Sequence, residues 1–279
     1  MPEGDTIFRT ARALGRALVG RPITAFRSNY PLLTRFHDDT PLTGQTVEQV
    51  EARGKWLLIF FSGGGILATH MLMSGAWHIY RPGERWQQPW RNMRIVLENS
   101  ACHAVGFCVP VAHMHTQRTL ERDRRIPQPT LDVLRAEFDA AGAVARIQAC
   151  AGEEIADVLL HQEVLAGVGN EFKSEICFDC GVNPFTQVSA LNDAEITALV
   201  ATAQRMVAAN VIEDSEATTL TYRGRGRRTT HASDPRERVW VYGRAGQACR
   251  HCGTLIEQRR QGPDARVTFW CPACQGLRV

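Results

Sequence analysis

Lysine is nearly missing from this chain: of its 32 basic residues, only Lys55 and Lys173 are Lys and all the others are Arg. A guanidinium keeps its proton in proteins, whereas an ammonium releases one when its surroundings demand it. Side-chain amine chemistry therefore has two places to occur, and each retained lysine calls for a reason. Also missing is any apolar run of about 18 residues, which argues against a membrane-spanning helix. The chain opens with Glu3 and Asp5 instead of a basic stretch leading into an apolar one, which argues against a secretory signal. Without that signal, nine cysteines read as metal ligands or core residues, not as a disulfide framework. A cytoplasmic location is the expectation.

What is present fits a globular chain of 279 residues, long enough for two domains. Its net charge of +3 hides an asymmetry. From Thr218 to Val279 there are 12 Arg and 4 acidic residues, a local charge of +8, so the body before it carries −5. A basic terminal module on an acidic body points to a polyanion partner, nucleic acid first, with a merely solvated basic tail as the bland reading.

Hydropathy periods divide the chain. Ile7, Ala11, Leu14 and Leu18 recur at helical spacing after Asp5, a candidate N-cap, and Gly20 with Pro22 ends the run. Short β-type runs follow at Ile23–Phe26, Val47–Glu51, Trp56–Phe61, Ile66–Thr69, Trp77–Tyr80, Arg94–Leu97 and Ala104–Cys108, predicting an antiparallel sandwich or barrel. From about Pro129 the period turns helical: Leu131, Leu134 and Phe138, then Ile155, Val158 and Leu159, then Asp193 to Ala209. Between these lies Gly167-Val168-Gly169-Asn170, a turn able to present N–H groups to a phosphate or simply to join two helices. Tyr222 to Arg228, rich in Gly and Arg, reads as a mobile basic loop.

The most specific local pattern is Cys249-x2-Cys252 followed, after 18 residues, by Cys271-x2-Cys274. Two such knuckles supply four thiolates, a closed tetrahedral shell for a structural Zn2+. His251 falls inside a knuckle and is not expected to ligate, while Cys177-x2-Cys180 lacks a second pair and reads as packing. Arg259, Arg260 and Arg266 lie between the knuckles, where a hairpin can carry a guanidinium to a phosphate or stay solvated. At the other end stands Met1-Pro2-Glu3-Gly4. Removal of Met1 leaves Pro2 with a secondary α-amine, and α-amines titrate near 7.7–8.0 against about 10.4 for lysine. Such an amine condenses with a sugar aldehyde to an iminium, and Glu3 beside it can move a proton. Taken alone, a proline at position 2 means nothing in most proteins.

Taken together, these pieces resemble the formamidopyrimidine-DNA glycosylase/endonuclease VIII family along essentially the whole chain. The resemblance rests on Pro2-Glu3-Gly4, on Arg53-Gly54-Lys55, on His70-Met71-Leu72-Met73-Ser74-Gly75, on the run from Leu159 to Asn170, on Val241-Tyr242-Gly243-Arg244 and on the cysteine finger. It implies an α+β multidomain protein. An N-terminal helix and antiparallel β-sandwich would occupy 1–125, a helix-two-turn-helix domain 129–217 and a four-cysteine zinc finger 239–279, with DNA held between. By similarity Pro2 attacks C1′ of the damaged nucleoside, Glu3 donates a proton, and Lys55 contacts phosphate and sugar beside the lesion. Asn170 and Arg266 pinch the phosphates around a flipped nucleotide. His70 contacts phosphate, and Met73 fills the space that the extruded base leaves. Lys173 has no catalytic counterpart and reads as a surface or phosphate-contacting residue. His161 stands where relatives often have Asp, a change without an account at this level.

The implied activity is a bifunctional DNA glycosylase and abasic-site lyase of base excision repair, working by β,δ-elimination. Its partner is damaged duplex DNA, with structural Zn2+ and no nucleotide cofactor. It acts as a monomer, in a bacterial cytoplasm and nucleoid-associated when bound. Gly4 in the opening motif favours oxidised pyrimidines, whereas Leu72-Met73-Ser74 looks more like the 8-oxoguanine/formamidopyrimidine-directed branch. Two readings from other classes stay open: a non-catalytic damaged-DNA-binding protein, and a zinc-ribbon protein acting on RNA.

Overall fold

The computed structural model describes residues 2–211, 228–230, 232 and 234–277. Two compact units emerge. The first holds 2–126, and the second holds 127–210 together with the described residues from 228 onward.

The first unit begins with α1 (Gly4–Leu18). Its apolar stripe of Ile7, Ala11, Leu14 and Leu18 is fully buried, as the period predicts. The cap is Glu3, not Asp5; Asp5 falls in the first turn and is itself buried. Eight strands follow: β1 (Ala25–Ser28), β2 (Val47–Arg53), β3 (Trp56–Phe61), β4 (Ile66–His70), β5 (Ala76–Tyr80), β6 (Met93–Glu98), β7 (His103–Phe107) and β8 (Val111–His115). They form two antiparallel sheets, ordered β2-β3-β4-β8 and β1-β6-β7-β5. Leu57, Ile59 and Phe61 of one sheet share a core with Ile95, Leu97, Trp77 and Ala104 of the other and with the α1 stripe. The opposite face of β3, Trp56 and Leu58, packs on Leu120 and Ile126. Covered on both faces, β3 reads as a continuous apolar run instead of an alternation.

Two elements escape the period. α2 (Pro31–Asp39) is short, opens on Pro31 and buries little beyond Leu33. β8 alternates Val111-Ala112-His113-Met114-His115, and its histidines mask its strand pattern.

The second unit holds α4 (Ala140–Gln148), α5 (Ile155–Val158), α6 (Asn170–Asp179) and α7 (Asp193–Ala209), after a one-turn α3 (Gln117–Leu120) that closes the first unit. The helical spacing of Leu131, Leu134 and Phe138 does not yield a helix. A single 3-10 turn, Pro129–Leu131, gives way at Asp132, which bridges Ala166. The Asp132 carboxylate accepts the Leu134 N–H at 2.9 Å, a local bond that competes with helix formation. Helix resumes at Ala140, where Asp139 caps Gly142 N–H at 2.8 Å. α7 starts in a reciprocal capping box between Asn192 and Glu195. Cys177 is fully buried in the helical core and Cys180 packs against it, so this pair serves packing. The chain ends in a ribbon of β9 (Glu257–Gln261) and β10 (Arg266–Trp270). The loop residues 222–227 lie outside the described residues. Among the described residues, no helix is long and apolar enough to cross a membrane.

One buried carboxylate organises this second unit. Glu175, on α6, accepts the backbone N–H groups of Trp240, Val241 and Tyr242 at 2.8, 2.9 and 2.8 Å, and the Thr229 hydroxyl donates to it as well. Burial pushes its pKa up and the four donors push it back down. Donors alone surround both oxygens, the environment of a charged carboxylate. Glu175→Ala leaves three buried peptide N–H groups without an acceptor, at about 1–3 kcal/mol each. The variant is expected to lose roughly 3 kcal/mol or more, read as a lower urea midpoint for the second unit.

Candidate functional site

The residues singled out from the sequence fall on both units, and each cluster is built independently. In the first unit the chemistry gathers at one end of α1. Glu3 caps the helix, and its carbonyl accepts the Thr6 and Ile7 N–H groups at 3.0 and 3.1 Å, so Pro2 sits where the helix presents its positive end. Both Pro2 and Glu3 are buried.

Register places Lys55 at the same end. Val19, just past the C-terminus of α1, bridges Val47 at the start of β2, and Gly15 lies against Val50. From there β2 climbs to Arg53 at about 3.3 Å per residue, roughly 20 Å. α1 runs back to Gly4 at about 1.5 Å per residue, roughly 21 Å. β2 therefore runs back along α1, and the β2–β3 turn lies toward the N-terminal half of that helix. It is a two-residue turn, because Arg53 pairs Trp56 directly, and Gly54 takes φ 57° at its first position. That left-handed conformation is why glycine precedes Lys55.

His70 lies on the neighbouring strand, paired with Trp56 in the register and with its ring edge-on to the indole at 5.1 Å. Burial first, and the Lys55 ammonium second, push its pKa down to about 4. Its Nδ1 accepts the Leu72 N–H at 3.1 Å, which leaves the neutral ring with Nε2–H as a donor. The same hydrogen bond starts a tight turn. Met71 is buried in the core, Gly75 N–H returns to Met71 C=O at 2.8 Å, and Leu72 takes φ 43°. A left-handed leucine costs on the order of 1 kcal/mol, and the turn retains it while exposing Leu72 and Met73 to 46% and 69%. A Cβ on Gly75 would meet Met71 O at 2.8 Å, so the turn has no room for another residue there. Two apolar side chains thus project from a rigid tip beside a neutral imidazole donor and an ammonium.

In the second unit, Gln162 shapes the glycine turn. Its Oε1 accepts the Gly167 N–H at 3.1 Å and its Nε2 donates to Leu160 and Val168 carbonyls at 2.7 and 3.0 Å. Gly167 takes φ 99°. Gly169 caps α6, and Asn170 begins it. The Asn170 Nδ2 donates to Val267 C=O at 2.9 Å, next to Arg266 on β10, so the structure brings Asn170 and Arg266 together. Arg266 pairs with Asp264 at 3.4 Å and is partly exposed. Arg259 lies over the Phe185 ring at 3.6 Å and pairs with Glu154 at 3.4 Å while its side chain stays exposed, so its guanidinium has partners within the fold.

Lys173 corrects the sequence reading. It is fully buried, its Nζ has no hydrogen-bond partner, and burial pushes its pKa down against the opposing pull of Asp157. A buried side chain contacts neither solvent nor phosphate. Its position in the first turn of α6, with Phe172 and Ile176 in the core, left no polar signal of burial in the sequence.

The four finger cysteines converge, with every pair of sulfurs within 4.8 Å. Cys249 and Cys274 are 3.9 Å apart, and Cys252 and Cys271 3.5 Å. A tetrahedral shell with metal–sulfur bonds near 2.3 Å places its sulfurs about 3.8 Å apart, so this set fits such an ion. His251 N–H and Cys274 N–H point to Cys249 Sγ and Cys271 Sγ at 3.4 and 3.5 Å, the hydrogen bonds that hold thiolate knuckles. The His251 ring packs at a tilt on Phe178 and edge-on against Trp240 and is not one of the convergent groups.

Comparison with known proteins places this architecture. Residues 1–108 match the formamidopyrimidine-DNA glycosylase N-terminal domain and residues 130–222 match the H2TH domain of the same enzymes. A probable endonuclease 8 2 of Streptomyces coelicolor is 36% identical over 99% of this chain and 94% of its own length. A DNA-(apurinic or apyrimidinic site) lyase of Mycolicibacterium smegmatis is 36% identical over 99% of both chains. Endonuclease 8 of Salmonella paratyphi B is 30% identical over 99% of this chain and all of its own. The chain belongs to the formamidopyrimidine-DNA glycosylase/endonuclease 8 family. The fold agrees: the Lactococcus lactis Fpg, solved in complex with DNA containing an abasic site, superposes with a TM-score of 0.79 at 19% identity, covering 99% of this chain and 100% of that one.

The His70 geometry has a measurable outcome. An NMR titration of the folded protein should find a neutral Nε2–H ring through pH 5 to 8, with its midpoint near about 4. Unfolded, the same ring protonates near 6.5, so between these values the unfolded chain binds more protons. This contribution to stability is complete above about pH 6.5 and is lost as pH falls toward 4. His70→Asn should flatten that part of the pH–stability curve.

Proposed function

We propose that this protein is a bifunctional DNA glycosylase and abasic-site lyase of base excision repair, acting as a monomer on damaged duplex DNA. The observations that support it most are a buried Pro2–Glu3 pair at the start of α1 and, in the same unit, a neutral His70 beside the Lys55 turn with the exposed Leu72–Met73 tip following it. We assign catalysis over 1–125, helix-two-turn-helix DNA binding to 129–217 and a zinc finger to 239–279. Zn2+ on Cys249, Cys252, Cys271 and Cys274 has a structural role there, since four thiolates leave no open position. The place of work is the bacterial cytoplasm, on the nucleoid when bound.

With Met1 removed, the Pro2 α-amine is the nucleophile. The positive end of α1 disfavours its ammonium form and keeps a neutral fraction available. Its nitrogen lone pair bonds to C1′ of an extruded nucleotide as the bond from C1′ to the base breaks, and the proton that the nitrogen then sheds neutralises the departing base. Glu3 protonates the sugar ring oxygen, opening the ring to a cationic iminium. The iminium withdraws electrons from C2′. Loss of a C2′ proton expels the 3′ phosphate, loss of a C4′ proton expels the 5′ phosphate, and water then releases Pro2.

Lys55 holds phosphate and sugar at this centre, and His70 Nε2–H donates to a phosphate. Met73, with Leu72, fills the gap in the base stack. Asn170 and Arg266, fastened to one another through the finger ribbon, grip the flanking phosphates, which places Arg266 in the group that positions the reacting nucleotide. Oxidised pyrimidines are the favoured lesions, in keeping with Gly4 and with the endonuclease 8 names of the relatives. The Leu72-Met73-Ser74 tip favours a second reading, 8-oxoguanine and formamidopyrimidine lesions, and a panel of duplex substrates ranks the two.

Borohydride trapping on an abasic duplex, with mass mapping of the adduct, tests the chemistry. The expected adduct is on Pro2; an adduct on Lys55 would move the nucleophile, and tight binding with no adduct would leave a damaged-DNA-binding protein without catalysis. An N-terminal extension that survives processing should abolish both base release and strand cleavage. Glu3→Gln should slow ring opening, read as loss of trappable adduct and of strand cleavage, by about 10²–10⁴-fold, the usual worth of a placed proton donor. Cys271→Ser should lower DNA affinity and finger stability together, and full affinity in metal-free protein would refute the structural role of zinc.

A further inference from the structure

His161 has no part in the chemistry above, yet its ring faces two other metal-type donors. The ring nitrogen, a carboxylate oxygen of Glu153 and the Cys150 thiol all lie within 4.8 Å of one another, and His161 Nε2 is 3.6 Å from Glu153 Oε2. The three come from separate turns: Cys150 just past the end of α4, Glu153 just before α5, and His161 just after it.

Each backbone position is held independently of any ion. Glu153 N–H donates to Cys150 C=O at 2.9 Å, while Ser189 and Val188 N–H groups donate to Ala151 and Glu153 carbonyls, both at 2.9 Å. His161 N–H reaches Val158 C=O at 3.1 Å, and its own carbonyl accepts the Val164 and Leu165 N–H groups. The ligand-bearing loops are thus fixed by ordinary hydrogen bonds, and only side-chain rotation separates the observed spacing from a coordination shell.

We propose that Cys150, Glu153 and His161 form a second metal site, for a single Zn2+-class ion, separate from the four-cysteine finger. The donor set selects the ion. A thiolate and an imidazole favour borderline and soft first-row cations over Mg2+ or Ca2+, which take oxygen shells. Three protein ligands leave a fourth position for water, and Cys150 and His161 are half-buried, so solvent reaches the site. Asp157 and Glu163 add negative charge around it, favouring a dication. Binding exchanges a proton for the ion, since the Cys150 thiol loses its proton to coordinate.

Occupation ties the end of α4 to the turn that carries Gln162, the residue whose amide holds the Gly167 turn ahead of Asn170. The ion therefore braces the segment that presents Asn170.

The test counts metal. Full-length protein is equilibrated with excess Zn2+, freed of unbound ion by gel filtration and assayed for zinc per chain, alongside His161→Ala and Cys150→Ser. The wild type is expected to hold one equivalent more than either variant, whatever the finger itself retains. With Co2+ as the probe, both variants should lose one set of tetrahedral visible bands, and Cys150→Ser should lose the matching thiolate charge-transfer intensity. Added Zn2+ should raise the wild-type melting temperature more than that of His161→Ala. Equal metal content and equal Co2+ spectra in wild type and His161→Ala would overturn the proposal. Glu153→Gln, at an exposed position, repeats the comparison with one ligand weakened and the packing kept.

Discussion

The second unit hangs on one charge. Glu175 stands fully buried on α6, and three successive peptide N–H groups, Trp240 to Tyr242, point into it. Peptide donors in an irregular segment have no helix or sheet to satisfy them, and burying them without an acceptor would cost several kcal/mol. The carboxylate removes that cost and fixes where the segment begins its turn into the finger. Arg244 then continues the turn, donating to Trp240 and Ala248 carbonyls. Gln275 closes it, bonding Cys271 N–H and Val182 C=O from one side chain at 2.9 and 2.8 Å. The four thiols converge within a frame that the helical core already holds.

The first unit solves a different problem with a helix terminus. The amine proposed as nucleophile is placed where the helix dipole disfavours its charged form. α1 is buried along one stripe, so its N-terminus cannot drift relative to the sheet beneath. Because β2 and α1 run side by side for nearly equal lengths, a two-residue turn is enough to deliver Lys55 to that end. His70 follows because it pairs Trp56, immediately after Lys55. Strained backbone at Leu72 is tolerated because Met71 and Gly75 anchor both feet of the turn.

Much of this was legible in one dimension. Periodicity located α1, α7 and β3, because each buries a regular stripe or a continuous face. Cysteine spacing located the four-cysteine cluster, because paired Cys-x2-Cys knuckles are a more restrictive pattern than core packing requires. The motif runs at Pro2, Lys55, His70 and Asn170 carried the family. What escaped was set by neighbours distant in sequence. Leu131, Leu134 and Phe138 have helical spacing, yet Asp132 bonds its own backbone and Ala166 pairs beside it. Lys173 ends in an amine and still lies in the core, although hydropathy alone places it on the surface. Arg259 looks like a free guanidinium until Phe185 and Glu154 are seen around it.

The sequence by itself determined the domain class, the four-cysteine set and the N-terminal pair proposed as reactive, since composition, spacing and order are properties of the chain before it folds. Tertiary structure decided which charges are spent inside the protein and which remain for a partner. That division depends on desolvation and on hydrogen bonds between residues far apart in the chain, such as Glu175 with Val241 and Asn170 with Val267. No local pattern encodes those distances, because each is fixed by the packing of elements and not by the residues between them.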